Sequence, residues 1–458
     1  MVDHNCIRIL SPTGVLGAGY KLSSLERGLA LKPHVIACNA GSTDSGPAYL
    51  GGGILKQSYE AVKRDLRHLL LGREKLKVPL IIGSCGTSGR DAGVDLVAKM
   101  TREIAAEEDL KFRLATIKSD QDPGYLKMRY RQGRIKPLIP APEIDETVFD
   151  RSHVVGIMGA EPIIGALGLG VDVVLAGRVS DTGLFAAFPS MMGAHAGLNW
   201  HAAKTIKCGT GCAVNPGADG LFVHMYADHF DVEPLDLENR LTPQSVAAHT
   251  LYENANQFFI PESSGILSTE LAEYEPISER VVRVSGAEYR KADRYTVRLE
   301  GAELVGYQTI VIGGIRDEEI IRQLPKLLPI TEAYFSEKIK DILRGGMGDS
   351  AINIRYRIYG INGVMGEFEP LEQEWGHEIG VLITVTAPSQ ELATKIATFV
   401  AHASSNLPIP EYHGLVSSIA YPFSPPEIDR GAAYRFSLNH IVEPDDPYEM
   451  FRTKYYEV

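Results

Sequence analysis

Short apolar runs followed by glycine-rich polar turns recur through the N-terminal two-thirds of the chain. The runs are CIRIL, HVIACN, VPLIIG, FRLATI, VVGIM and DVVLAG, and amphipathic stretches such as SYEAVKRDLRHLLLGREK separate several of them. Short, continuously apolar strands that alternate with amphipathic helices are typical of βα units around a parallel sheet. The pattern predicts an α/β fold with a largely parallel sheet over residues 1–278.

The pattern changes near residue 279. Residues 279–348 first alternate apolar and polar positions, as antiparallel strands do, and then continue as a helical stretch. Residues 349–458 contain two strand patterns, an amphipathic helix predicted at 389–406 and a last strand pattern, YRFSLNHIV. This β-β-α-β order predicts a small ferredoxin-like α+β domain after an antiparallel and helical extension.

The polar turns that follow the apolar runs are the candidate ligand site. Ligands of open parallel sheets bind outside the carboxyl ends of the strands. We therefore expect six loops to lie along one edge of one sheet: 11–20, 39–47, 83–91, 119–124, 159–162 and 177–183. Turns are also needed at this edge for structural reasons alone, so each loop has a structural interpretation beside the functional one.

The loop CNAGSTDSGP combines hydroxyls and an amide with one acid, Asp44. We expect Asn39, Ser42 and Thr43 to bind substrate and Asp44 to act as a general base. The alternative is that Asp44 caps the following helix or binds the amides of its own loop.

Two further loops add cations and a thiol. In GSCGTSGRDAG, the predicted substrate ligands are Ser84, Thr87 and Arg90, and Cys85 is a candidate nucleophile or the small filler of a tight turn. In GRVSDTG, Arg178 and Ser180 are predicted to hold a substrate carboxylate, and Asp181 to move a proton. Arg178 and Asp181 could equally pair with each other.

Composition and charge narrow the classes of partner. The 458 residues carry a net charge of −12 without a basic stripe, so we expect no nucleic-acid partner. No apolar run is long enough for a membrane helix, and five sparse cysteines without a secretion signal indicate reduced thiols. We expect a cytoplasmic protein that forms a homo-oligomer.

Cofactor motifs are weak in this sequence. The turn SPTGVLGAGY has the order G-x-x-G-x-G, which differs from the dinucleotide fingerprint, and no Walker lysine follows it. We therefore expect neither NAD nor ATP chemistry. Cys208 and Cys212 are a weak zinc signal because they stand alone at a Cys-x-x-x-Cys spacing. A divalent metal stays an open alternative.

The segments HVIACNAGSTDSGP, GRVSDTG and IGVLITVTAPSQELATKIATFVAHA, with the later AYPFSPPEI and YRFSLNH, resemble the acyclic terpene utilisation (AtuA-like) family. The resemblance covers nearly the whole chain. It implies a Rossmann-like main part, a ferredoxin-like end and, in some members, a small separate partner protein. It also implies a role in the breakdown of small or acyl-CoA-linked carboxylates.

Three hypotheses about function are open at this point. The first is an enzyme of carboxylate catabolism, a hydro-lyase or isomerase, that uses the acids of the strand-end loops. The second is a hydrolase or acyltransferase that uses Cys85 or Ser84 as nucleophile. The third is a metabolite-binding or scaffolding subunit that works only with a small accessory protein.

Overall fold

The computed structural model describes residues 6–342, 352–371, 376–405 and 418–458. Its strands are β1 (Ile7–Thr13), β2 (Val35–Asn39), β3 (Leu80–Gly83), β4 (Arg113–Lys118), β5 (Ile135–Pro137), β6 (Ser152–Ile157), β7 (Val173–Ala176), β8 (Asp219–Met225), β9 (His229–Pro234), β10 (Phe259–Glu262), β11 (Gly265–Ser268), β12 (Glu273–Pro276), β13 (Val282–Ser285), β14 (Glu288–Lys291), β15 (Val297–Ile315), β16 (Asn353–Tyr359), β17 (Ile379–Ala387), β18 (Glu427–Val442) and β19 (Arg452–Glu457). Its helices are α1 (Leu22–Ala30), α2 (Pro47–Gly52), α3 (Tyr59–Leu76), α4 (Asp91–Glu107), α5 (Pro123–Arg131), α6 (Val148–Arg151), α7 (Glu161–Gly168), α8 (Asp181–Met191), α9 (Ala196–Ile206), α10 (Pro243–Thr250), α11 (Glu318–Ile342) and α12 (Gln390–Ser405).

The chain divides into two compact units. The first contains Met1–Glu303 together with Phe436–Val458, and the second contains Leu304–Arg435. These bounds differ from the predicted segments 1–278, 279–348 and 349–458. Residues 279–303 belong to the first unit because β13 pairs with β9 and the start of β15 pairs with β6. The C-terminal residues belong to it because β19 returns and pairs with β4 in antiparallel register.

The main sheet of the first unit is mixed. Among the described residues it has the strand order β12-β13-β9-β8-β1-β2-β3-β7-β4-β19. The central strands β1, β2, β3, β7 and β4 are parallel, and the strands on both flanks pair antiparallel. The prediction of an α/β fold with parallel strands is confirmed. The expectation of a largely parallel sheet holds only for the five central strands. On one side of the parallel centre, the sheet is extended by the antiparallel strands β8, β9, β13 and β12. On the other side, it is extended by the C-terminal strand β19.

The strand β6, which contains most of VVGIM, is not part of that sheet. It pairs antiparallel with the start of β15, from Arg298 opposite Ile157 to Glu303 opposite Ser152. An apolar run alone does not specify its partner strand, so this placement could not be read from periodicity. The turn after β6 still lies beside the turn after β7, because Met158 forms a parallel bridge with Val179.

The parallel strands are apolar at successive positions because each face of the sheet has its own core. On β2, Val35 and Ala37 belong to one core, and Ile36 and Cys38 belong to the other. The first core receives side chains from α7, α8 and α9, and the second from α3 and α4. Burial on both faces is typical of parallel sheets flanked by helices. This packing places the carboxyl ends of β1, β2, β3, β7 and β4 at a common edge.

The second unit has its own core. Its strand β17 lies between β16 and β15 and is antiparallel to both. Residues 390–405 form α12, as predicted, and the Ser389 hydroxyl accepts a hydrogen bond from the Leu392 amide at 3.3 Å. The apolar face of α12 packs on β17 through Ile396 and Val400. The ferredoxin-like assignment of this part of the chain stays a prediction.

We expect the C-terminal strand to be required for the stability of the first unit. Deleting residues 452–458 removes the antiparallel ladder with β4 and leaves the groups of that edge unpaired. Each ladder hydrogen bond contributes about 1 kcal/mol to stability. The deletion should therefore lower the free energy of unfolding by several kcal/mol. Urea denaturation measures the effect. The control is Tyr455→Thr, which changes a half-exposed side chain and keeps the ladder. Equal midpoints for the deletion and the full chain would contradict the prediction.

Candidate functional site

Three strand-end loops of the first unit pack backbone against backbone. The Ala40 amide donates to Gly83 O at 2.8 Å, and the Arg178 amide donates to Gly89 O at 3.1 Å. At Gly89, which has φ +72°, an added Cβ would lie 2.2 Å from the Arg178 nitrogen. Only glycine allows this approach, because any side chain would displace a backbone. The loops after β2, β3 and β7 therefore form one continuous wall.

A cavity of about 600 Å³ opens beside this wall. Its walls carry cationic side chains, acidic side chains and hydroxyls, namely those of Arg178, Lys204, Lys207, Arg298, Asp44, Asp181, Glu253, Glu262, Glu300, Ser180 and Thr182. A second cavity of about 410 Å³ shares Asp44, Asp181, Lys207 and Glu253 with the first. The site therefore has two compartments that meet at these four residues.

Glu262, the last residue of β10, faces the first cavity. The Ser180 hydroxyl donates to its Oε2 at 2.7 Å, and the Thr182 hydroxyl also donates to this carboxylate. The surrounding protein removes most of the water from the carboxyl group, and this burial raises the pKa of Glu262 from 4.5 to about 7 although the hydroxyls and nearby lysines act in the opposite direction. A carboxyl group with such a pKa exchanges its proton near neutral pH.

Two lysines project from the C-terminal end of α9 into the same cavity. Lys207 Nζ forms an ion pair with Glu253 at 2.7 Å and lies 3.7 Å from an Asp181 oxygen. Burial opposes the charge of Lys207, but Asp181, the Cys208 sulfur and Glu253 outweigh it and raise the pKa of this lysine. Lys207 therefore remains a cation.

Lys204 is in a different environment. Its Nζ donates to two neutral acceptors, Tyr252 O at 2.8 Å and Asn254 Oδ1 at 3.2 Å. The side chain is buried, and burial together with the charge of Lys207 lowers the pKa of Lys204 from 10.5 to about 8. A substantial fraction of this amine is therefore neutral near pH 8.

A buried ion pair connects the walls of the cavity. Arg178 Nε donates to Glu300 Oε2 at 3.0 Å, and the Thr43 hydroxyl donates to the same oxygen at 2.7 Å. Arg178 Nη1 also reaches Asp181 at 3.4 Å. Glu300 thus ties the loop after β2 and the loop after β7 to β15.

Most of the residues predicted from the loops reach the two cavities. Arg178, Ser180, Asp181 and Asp44 line the first cavity, and Asn39, Ser42 and Thr87 line the second. Asp44 is exposed and accepts a hydrogen bond from the Ser42 hydroxyl at 2.6 Å. The side-chain amide of Asn39 donates a hydrogen bond from Nδ2 to Asp181 Oδ1 at 2.9 Å. Asp44 does not cap α2. Instead the Ser42 hydroxyl accepts a hydrogen bond from the Asp44 amide.

Four predicted residues line neither cavity, namely Thr43, Ser84, Cys85 and Arg90. Thr43 is buried, and its hydroxyl donates to Glu300. Cys85 is fully buried, its thiol donates to Ile82 O, and burial raises the pKa of Cys85 to about 12, which does not favour a reactive thiolate. Ser84 is also buried, and its hydroxyl accepts a hydrogen bond from Arg178 Nη1 at 3.3 Å. Arg90 donates to Leu50 O and Gly51 O, so its guanidinium holds the end of α2 instead of facing the cleft.

Several charged residues of the cavity were not predicted from the sequence. They come from α9, the segment after α10, β10 and β15, namely Lys204, Lys207, Glu253, Glu262 and Glu300. A usable signal existed for the two lysines, because NWHAAKTIKCG places them three residues apart in an otherwise mostly apolar helix. The acids gave no such signal, because each stands in a separate strand or loop.

No group of three or more His, Cys, Asp or Glu side chains suited to a metal ion occurs among the described residues. Cys208 and Cys212 are free thiols. In the part of the chain that the structure describes, no helix is long and apolar enough to cross a membrane.

Comparison with known proteins identifies one family. Residues 74–213 match the model of the acyclic terpene utilisation family protein AtuA, which confirms the resemblance over this segment and supports the family assignment. The matched segment contains the loops after β3 and β7 and both cavity lysines. No curated protein and no solved structure matches the chain.

Burial of Glu262 should make the stability of the protein depend on pH. Between pH 4.5 and about 7 the folded protein retains a proton that the unfolded chain releases, so the wild type loses stability as the pH rises through this window. Glu262→Gln cannot release a proton. Its stability relative to the wild type should increase with pH over the same window by up to about 3 kcal/mol.

Urea denaturation at pH 5 and pH 8 measures this difference. The control is Glu270→Gln, which changes an exposed carboxylate and should leave the pH dependence as it is in the wild type. A difference between wild type and Glu262→Gln that is the same at both pH values would contradict the assigned environment of Glu262.

Proposed function

We propose that this chain, whose residues 74–213 match the AtuA family, is an enzyme that removes a proton next to the carbonyl group of a small carboxylate substrate. One observation carries the proposal: Glu262, whose pKa is about 7, lines a cavity that also contains the cationic side chains of Arg178, Arg298 and Lys207. Acid–base groups with a pKa near the working pH, combined with cations that stabilise anionic substrates, are typical of catalytic sites.

The carboxylate of the substrate would bind to the arginines. Arg178 uses Nε and Nη1 for Glu300, Ser84, Val179 O and Asp181, and its Nη2 has no hydrogen-bond partner among the described residues. Arg298 has a long contact, 3.8 Å, with Glu300. Guanidinium groups bind carboxylates through parallel N–H donors, so both can contribute.

Glu262 is the proposed proton acceptor. In its ionised form it would take the proton from the carbon next to the substrate carbonyl, and Lys207 would stabilise the negative charge that develops. The hydroxyls of Ser180 and Thr182 hold the carboxylate in place. Loss of a neighbouring hydroxyl group would then make the enzyme a hydro-lyase, and return of the proton at another carbon would make it an isomerase.

Exchange of substrate hydrogen with solvent tests this proposal even when the product is not identified. The full chain is incubated in D₂O with a panel of small carboxylates and their coenzyme A thioesters, and proton NMR follows deuterium incorporation next to the carbonyl group. We expect exchange with at least one member of the panel. Glu262→Gln should slow the exchange by about a hundredfold or more, with the fold intact.

The pH profile provides a second readout. Since Glu262 must be ionised to accept a proton, the exchange rate should rise with pH and level off above about 7. Exchange that is unaffected by Glu262→Gln would refute the assignment of Glu262. A pure chain that binds carboxylates without exchange, and gains exchange when a small accessory protein is added, would support the scaffolding hypothesis instead.

Asp44→Asn separates the two candidate bases. Asp44 is exposed, lines both cavities and is hydrogen-bonded to Ser42. We therefore expect Asp44→Asn to reduce the exchange rate far less than Glu262→Gln, for which the predicted reduction is roughly a hundredfold. The same exchange assay measures both variants. A loss of about a hundredfold or more in Asp44→Asn alone would assign the general base to Asp44, as the sequence first indicated.

A further inference from the structure

Lys204 differs from the other cations of the first cavity in its hydrogen-bond partners. Arg178 and Lys207 are paired with carboxylates, and Arg298 lies near Glu300, whereas Lys204 Nζ donates to a backbone carbonyl and a side-chain amide. A buried ammonium normally has a carboxylate partner. The environment of Lys204 is therefore better suited to a neutral amine than to a permanent cation.

The two hydrogen bonds match the chemistry of a neutral amine. An –NH₂ group has two donor hydrogens and one lone pair, and Tyr252 O and Asn254 Oδ1 accept the two hydrogens at 2.8 and 3.2 Å. The lone pair of the Lys204 nitrogen then remains for a ligand in the cavity. A lone pair on a cavity-lining nitrogen is a nucleophile for a carbonyl carbon.

We propose that Lys204 forms a Schiff base with an oxo acid, in which the substrate carboxylate binds the cavity arginines and the substrate carbonyl group meets the lysine. The inference rests on the proposed function and names its substrate class. A buried lysine beside a second cation is a recognised arrangement for this chemistry. Lys207 provides that cation, about one helical turn further along the chain at the end of α9.

The step balances with groups already in the cavity. The Lys204 nitrogen forms a bond to the carbonyl carbon, and its proton moves to the carbonyl oxygen to give a carbinolamine. Glu262 in its protonated form donates a proton to the hydroxyl group, the carbon–oxygen bond breaks and water leaves. The resulting iminium group draws electrons from the neighbouring carbon, so ionised Glu262 can then remove the proton there.

The pKa of Lys204, about 8, is consistent with this geometry. The titratable groups that act on Lys204 are Lys207 and Cys208 just after α9, Glu253 in the segment after α10, and Glu262 at the end of β10. On α10, His249 is near enough for the charge of Lys204 to lower its pKa. At pH 7, the fraction of Lys204 that is neutral should be on the order of a hundredfold larger than that of a lysine with an ordinary pKa.

Reductive trapping tests the inference. The full chain is mixed with pyruvate, 2-oxobutyrate, acetoacetate or 2-oxoglutarate in the presence of sodium cyanoborohydride, which reduces an imine to a stable secondary amine. Peptide mass spectrometry then locates the added mass. We expect the adduct at Lys204 with at least one oxo acid. Lys118 is the internal control, because it is also largely buried but paired with Asp95 at 2.5 Å, and it should stay unmodified.

A second measurement needs no substrate. The dione 2,4-pentanedione reacts with neutral amines, and its rate of addition to Lys204 should be half-maximal near pH 8. The variant Lys204→Met should lose both the trapped adduct and this fast labelling. Because mass spectrometry locates both modifications in the wild-type chain, the result does not depend on whether the variant folds.

The outcomes separate this inference from the proposed function. Hydrogen exchange on carboxylates without any adduct at Lys204 would overturn the Schiff base and leave the acid–base enzyme intact. An adduct at Lys204 without hydrogen exchange would overturn the proposed proton removal and keep the lysine chemistry. Labelling spread evenly over surface lysines, or an adduct at Lys207, would overturn the inference.

Discussion

The cavity depends on one buried ion pair, between Arg178 and Glu300. Arg178 follows β7, Glu300 lies on β15, and Thr43 from the loop after β2 donates to the same carboxylate oxygen. Removing one partner would leave the other charge buried and unpaired, which costs about 3–5 kcal/mol in proteins. The pair therefore fixes the position of three chain segments. Those segments carry Asp44, Asp181 and the two arginines of the cavity, Arg178 and Arg298.

Charge balance in the cavity also determines its chemistry. The acids beside Lys207 keep that lysine charged, and its charge, together with burial, lowers the pKa of Lys204. Burial raises the pKa of the Glu262 carboxyl group, whereas it lowers the pKa of the Lys204 amine. A lysine and a glutamate that differ widely in ordinary pKa thus titrate within about one unit of each other, near neutral pH. Burial of the two groups is the largest cause of both pKa shifts.

The strand-end rule identified part of this site and missed the rest. It located Arg178, Ser180 and Asp181, because each follows a parallel strand whose end lies at the ligand edge. It also selected Cys85 and Arg90, which belong to the same loops but are directed into the protein or toward α2. Loop membership predicts proximity to a site, whereas the direction of a side chain depends on the backbone conformation of the turn.

The sequence by itself determined the alternation of strands and helices in the first unit and the helix at 390–405, because local periodicity reflects which face of an element is buried. Tertiary structure alone decided that β6 pairs with β15, that β19 returns to β4, and that the main sheet is mixed. It also decided that Lys204, Glu262 and Glu300 share one cavity with Arg178. These residues are far apart in the chain, and only the packing of their elements, which local patterns do not encode, brings them together.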